Sequence, residues 1–91
     1  MSYLVVTTLD VADTDRARVE RELAFLGLRN QVEGDEADLP RNVYAGFFDA
    51  PTAHALRRRV ADEVQGTIGR FVAGARVLVS VGGHGGLRRA A

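Results

Sequence analysis

The order of strand-like and helix-like hydrophobic patterns constrains the fold of this chain more than any other feature. Residues 2–9 alternate in side-chain character and are rich in Tyr, Val and Thr, which predicts a strand. Within residues 14–26, Val19, Leu23 and Leu26 fall on one helical face. Alternation also predicts strands over 28–33, 42–49 and 75–81. A second helix is predicted to begin at Pro51, and its apolar face comprises Ala53, Leu56, Val60 and Val64. The predicted order is therefore β-α-β-β-α-β.

That order predicts an α+β fold, the ferredoxin-like βαββαβ sandwich, with a four-stranded antiparallel sheet and two helices on one face. The other sheet face would carry Tyr, Leu, Val or Phe from each strand. Because a small domain rarely leaves such a face in water, we expect a homodimer through the sheet or an exchanged strand. We place this domain at residues 1–83 and predict a flexible Gly- and Arg-rich tail at 84–91.

Composition excludes several classes of function. None of the 91 residues is Cys, which excludes disulfides, thiolate metal sites and thiol nucleophiles. No apolar run approaches the roughly 20 residues of a membrane span, and the beginning of the chain matches a first strand better than a signal peptide. We therefore expect a cytoplasmic protein without a membrane partner. Its net charge of zero means that a nucleic-acid partner would require a local basic face.

The stretch LDVADTDR, residues 9–16, places three carboxylates where the first strand is predicted to meet a helix. Asp13 suits an N-cap and Asp15 suits the positive end of the helix dipole, so both are interpreted as structural caps. Asp10 either caps the turn or serves as a ligand for a hard cation such as Mg²⁺ or Mn²⁺. A single Asp10 is a weak ligand set, whereas two copies across a dimer axis would suffice to activate a water against a phosphodiester.

Arginines supply the candidate contacts to nucleic acid. Arg57, Arg58 and Arg59 form a run on the second predicted helix, which either faces phosphates or forms a solvated outer surface. Arg16 either contacts phosphate or pairs with Asp13. The sequence does not decide between these alternatives.

The segment DVADTDR, residues 10–16, resembles the D-I-x-D-x-x-R stretch that ends the first strand in the small CRISPR-associated adaptation nucleases. Leu23, Leu26 and Gly27 fall where that family has helix leucines and a closing glycine, and the match covers about residues 3–34. In size and architecture the chain also resembles the endoribonuclease antitoxins of type V toxin–antitoxin systems. The resemblance implies a homodimer with the metal-dependent phosphodiesterase site at Asp10.

Two functions from different classes follow. One is a small dimeric nuclease that cleaves RNA or DNA with Mg²⁺ or Mn²⁺ held by Asp10, the catalytic residue that the resemblance implies. The other is a non-catalytic interaction module, an antitoxin or assembly scaffold with a protein partner, since members of the resembling family differ in whether they cleave nucleic acid. A dimeric α+β barrel enzyme or sensor would need convergent polar groups in an apolar pocket, and the sequence indicates no such set.

Overall fold

Three strands and two helices make up residues 2–31 and 38–82, the part of the chain that the computed structural model describes. The α+β class predicted from the sequence is the one observed. In chain order the elements are β1 (Ser2–Asp10), a 3-10 turn (Asp13–Asp15), α1 (Arg16–Phe25), β2 (Val43–Asp49), α2 (Ala53–Ile68) and β3 (Arg76–Gly82). The predicted tail at 84–91 lies outside the described residues.

The first strand is the centre of the sheet, whose order is β2-β1-β3 with antiparallel pairing on both sides. Thr7, for example, lies opposite Tyr44 of β2 and Val79 of β3. Since side chains alternate along a strand, the odd-numbered residues of β1 share one face of the sheet and the even-numbered residues share the other. Val5 and Leu9 on the odd-numbered face are buried against the helices.

Both helices pack against that odd-numbered face, and their buried residues recur at the helical spacing that the sequence predicts. In α1 these are Val19 and Leu23, and in α2 they are Leu56, Val60, Val64 and Ile68. They form one hydrophobic core with the strand residues Val5, Leu9, Tyr44 and Val79. The second helix begins at Ala53, two residues after Pro51, because the Thr52 hydroxyl accepts a hydrogen bond from the Ala55 backbone N–H at 3.1 Å and caps the helix.

The prediction of a four-stranded sheet is wrong, because residues 28–31 form only a single bridge to β2. Arg29 and Ala45 exchange backbone hydrogen bonds of 2.9 and 2.7 Å. A continued antiparallel ladder would next use the backbone N–H and carbonyl of Val43. That carbonyl instead accepts a bond of 2.6 Å from Asn30 Nδ2, and the N–H donates to the Pro40 carbonyl at 3.1 Å. These bonds end the ladder, so the described sheet has three strands.

No helix within residues 2–31 and 38–82 combines the length and the hydropathy needed to cross a membrane.

Candidate functional site

The face of the sheet opposite the helices, called the open face below, contains Asp10, the candidate metal ligand. Cross-strand partners share a face, so the ladder registers define its membership. The open face comprises Ser2, Leu4, Val6, Thr8 and Asp10 of β1, Val43, Ala45, Phe47 and Asp49 of β2, and Arg76, Leu78, Ser80 and Gly82 of β3.

Apolar side chains cross all three strands of the open face. Leu78 is 67% exposed and Phe47 is 37% exposed, which makes them two of the three exposed large hydrophobic residues among those described. Val6 between them is half-buried, and Leu4, which lies opposite Phe47, is buried. The centre of the open face is therefore an apolar surface that water still reaches at Leu78 and Phe47.

Asp10 ends β1 at one edge of this apolar surface and is exposed to solvent. Its cross-strand partner is Arg76 of β3, so the two residues are neighbours on the open face. In the described parts of the chain, His, Asp and Glu form no group of three or more that could hold a metal ion. A site for Mg²⁺ or Mn²⁺ shared by two copies of Asp10 stays a proposal.

The other two carboxylates of the acidic turn do not bond to the helix backbone as caps. In the described residues around this turn, neither Asp13 nor Asp15 accepts a capping hydrogen bond from a backbone N–H. Both Asp13 oxygens instead accept bonds from Arg41 Nη1, at 2.9 and 3.0 Å. Asp13 thus connects the turn after β1 to the loop before β2. Asp15 lies in the 3-10 turn that precedes α1.

The arginines predicted to contact nucleic acid are distributed away from Asp10. Arg16 begins α1, and its Nε donates to Glu20 Oε1 at 3.0 Å, so its partner is Glu20 rather than Asp13. The run 57–59 is exposed on α2, which covers the face of the sheet opposite the open face. The structure therefore does not bring these basic side chains and Asp10 into one site.

A cavity of about 470 Å³ lies between α1 and the β2 edge of the sheet, and the sequence did not reveal it. Its lining consists of Arg16, Glu20 and Ala24 of α1, Tyr44 of β2, and Arg29, Asn30, Gln31 and Asp38 of the connecting segment. The β2 alternation does place Tyr44 on the helix-facing side. No pattern in the sequence, however, indicates which α1 residues it meets.

The Tyr44 hydroxyl is the most unusual polar group of this cavity lining. The residue is 1% exposed, and its hydroxyl has no hydrogen-bond partner among the described residues. Burial raises the pKa of Tyr44, nearby Glu20 raises it further, and Arg16 opposes both effects. The phenol therefore stays protonated at neutral pH and can donate one hydrogen bond.

Comparison with protein-family models, with curated proteins and with solved structures found no match in any of the three. The resemblance to the CRISPR-associated adaptation nucleases and the type V antitoxins thus rests on the residues of this chain alone.

Proposed function

We propose that this chain is an interaction module that forms a homodimer through its open face. The observation that carries the proposal is the exposure of Leu78 and Phe47 on a sheet face whose opposite side is already covered by two helices. Burying one such side chain stabilises an assembly by roughly 1.5–3 kcal/mol. A partner that covers the open face would gain most of this contribution at Leu78 and a smaller part at Phe47, which is 37% exposed.

A second copy of the chain matches the open face in both polarity and charge. It offers the same apolar centre, and its open face carries charges of both signs, with Asp10 and Asp49 as carboxylates and Arg76 as a cation. Two-fold interfaces are built from one patch that is complementary to itself. A homodimer therefore fits this face better than a strongly charged partner would. The proposal also includes the cytoplasmic location that we expect from the sequence.

Metal-dependent cleavage of RNA or DNA is the second candidate function. The observation that favours it is the position of the exposed Asp10 on the open face, because dimerisation there would bring two Asp10 carboxylates to one interface. In that assembly Mg²⁺ or Mn²⁺ would gain the second Asp10 carboxylate as a ligand. The basic run on α2 lies on the other side of the sheet and takes no part in this site.

Sedimentation equilibrium of the wild type and two matched variants tests the dimer. Leu78→Glu places a negative charge on the open face. Phe25→Glu introduces the same charge in place of another exposed hydrophobic residue, at an 82% exposed position on α1. We expect a wild-type dimer, a monomeric Leu78→Glu variant with an unchanged circular dichroism spectrum, and a dimeric Phe25→Glu variant. A wild type that is monomeric at every concentration would contradict the proposal.

Asp10→Asn separates the two functions. If the dimer is a nuclease, wild-type protein with Mg²⁺ or Mn²⁺ cleaves RNA or DNA, and Asp10→Asn stays dimeric but does not cleave. If the dimer is solely an interaction module, neither protein cleaves under any of these conditions while both sediment as dimers.

A further inference from the structure

The two exposed hydrophobic residues of the open face lie on its outer strands, on opposite sides of Val6. Leu78 of β3 is paired with Thr8, which is two residues from Val6 along β1. Phe47 of β2 is paired with Leu4, two residues from Val6 in the other direction. With ordinary sheet spacings, Leu78 and Phe47 are roughly 17 Å apart within one chain. A second copy that covers the open face therefore has to reach two separate positions.

Two-fold symmetry lets a second copy cover both positions in two ways. In a two-fold interface, a residue that contacts another residue is contacted by it in return. In what we call the matched arrangement, each exposed hydrophobic residue meets its own counterpart. In the reciprocal arrangement, Leu78 of each copy meets Phe47 of the other. The strands of the two sheets cross at roughly 70° in both cases, which is close to the orthogonal class of sheet packing.

Two charged residues of the open face distinguish these arrangements. Arg76 precedes Leu78 by two positions on β3, and Asp49 follows Phe47 by two positions on β2. Both charged residues are exposed, and each lies about 7 Å outward from the hydrophobic residue of its strand. The matched arrangement brings Arg76 beside Arg76 and Asp49 beside Asp49, so like charges meet. The reciprocal arrangement brings Arg76 of each copy beside Asp49 of the other, so opposite charges meet.

Asp10 is the third charged residue that the three strands place on the open face. It is the cross-strand neighbour of Arg76, but in the reciprocal arrangement it lies farther than Arg76 from Asp49 of the second copy. The same geometry keeps the two Asp10 residues on the order of 20 Å apart. Because ligands lie about 2–2.6 Å from Mg²⁺ or a similar hard cation, two carboxylates so far apart do not share one ion.

We propose that two copies associate in the reciprocal arrangement, with Leu78 of each packed against Phe47 of the other and Arg76 of each paired with Asp49 of the other. The inference rests on the homodimer proposed above and deepens it by naming the residues that meet. Opposite charges across an interface fix its register, whereas like charges oppose association. The reciprocal arrangement also favours the interaction module over a nuclease with a metal ion shared between two Asp10 residues.

Charge reversal followed by sedimentation equilibrium tests the arrangement in the full chain. Arg76→Asp and Asp49→Arg each bring like charges together, and each is expected to weaken dimerisation about tenfold. The combined variant exchanges the two charges and should recover the wild-type dissociation constant to within about threefold. Within one chain Arg76 and Asp49 are roughly 29 Å apart, well beyond the screening length of about 10 Å at 0.1 M salt, so recovery requires contact between copies.

The control reverses the same charge outside the open face. Asp62 is exposed on α2, which lies on the other side of the sheet. Asp62→Arg combined with Arg76→Asp restores the net charge without restoring the contact, so this protein should dimerise as weakly as Arg76→Asp alone. Recovery here would overturn the proposal, because association would then follow net charge. Single reversals that leave the dissociation constant unchanged would overturn it too. A monomeric wild type would overturn the homodimer itself, whereas a wild-type dimer without coupling would overturn the reciprocal arrangement alone.

Cross-linking tests the hydrophobic contact directly, because the chain has no cysteine of its own. Leu78→Cys and Phe47→Cys are prepared separately and treated with a short bismaleimide, each alone and as an equal mixture, at concentrations where sedimentation shows dimers. We expect covalent dimers chiefly in the mixture. Covalent dimers that form as readily in Leu78→Cys alone would indicate the matched arrangement and overturn the proposal.

Discussion

Thr7 of β1 and Tyr44 of β2 lie directly opposite each other in the sheet, and neither of their buried hydroxyls has a hydrogen-bond partner among the described residues. Their surroundings differ. Tyr44 contributes to the lining of the cavity beside α1, whereas Thr7 is fully buried and does not contribute to it. Because the Thr7 hydroxyl is buried away from this cavity, removing it should stabilise the fold.

We expect Thr7→Val to stabilise the protein by about 1 kcal/mol, because it replaces a buried unpaired hydroxyl with a methyl group of similar shape. Urea unfolding at a fixed protein concentration measures the change. Thr14→Val, at an exposed position in the 3-10 turn and outside the open face, is the control and should alter the free energy of unfolding by less than about 0.5 kcal/mol. Destabilisation by Thr7→Val would mean that the Thr7 hydroxyl has a partner in solution.

Gly66 offers a second stabilising substitution. It lies within α2, and a Cβ added there would meet no atom within 4 Å. Gly66→Ala should therefore gain about 0.5–1 kcal/mol from helix propensity and from the lower entropy of the unfolded chain. The midpoint of thermal unfolding should rise accordingly. An unchanged or lower midpoint would mean that the helix is not continuous through this position.

Gly46→Ala is the matched substitution in β2, and we expect the opposite sign. A Cβ at this position would collide with the backbone carbonyl of Gly27, which packs against β2 where the single Arg29–Ala45 bridge forms. Because a backbone atom cannot move aside as a flexible side chain can, the variant should be destabilised by at least about 1 kcal/mol. A neutral result would show that the segment after α1 can move away from β2.

The contact between Arg41 and Asp13 should contribute little to stability. Both side chains are more than half exposed, at 60% and 68%, so solvent screens the attraction between them. A double-mutant cycle with Arg41→Ala and Asp13→Ala should give a coupling of about 0.2–1 kcal/mol that decreases at high salt. A larger coupling that does not depend on salt would indicate that the two loops shield this pair from water.

Alkaline pH should destabilise the fold through Tyr44. Burial raises its pKa above the ordinary value of 10.0, so the unfolded chain loses the phenolic proton at lower pH than the folded chain. The contribution of the protonated phenol to stability is complete below pH 10.0 and is lost as the pH rises through the folded-state pKa. Unfolding experiments on the wild type and Tyr44→Phe across this range should show a steeper decline for the wild type. Parallel declines would contradict the raised pKa.

Local patterns predicted the elements that lie on the helix side of the sheet. The apolar spacing correctly places Val19 and Leu23 in α1, and Leu56, Val60 and Val64 in α2, on the buried faces. Strand alternation likewise places the buried residues Val5, Thr7 and Leu9 of β1 on the face opposite Asp10. These predictions succeed because a residue's neighbours along the chain determine which face of a helix or strand it shares.

The same patterns failed at the β2 edge of the sheet. Residues 28–31 alternate as a strand would, but the Asn30 side chain takes the Val43 carbonyl that a fourth strand needs. Alternation records which side chains are apolar, and it does not record competition between a side-chain amide and a backbone N–H for one acceptor.

By itself, the sequence determined the α+β class, the buried faces of the helices and the position of Asp10 at the end of a strand. The tertiary structure alone decided that the described sheet has three strands, that Asp13 bonds to Arg41 across 28 positions of sequence, and that Tyr44 lines a cavity beside Arg29. The physical reason is the range of the interactions. Periodicity reports contacts within one turn or one strand, whereas partners, edges and cavities depend on how distant segments share space and hydrogen-bonding groups.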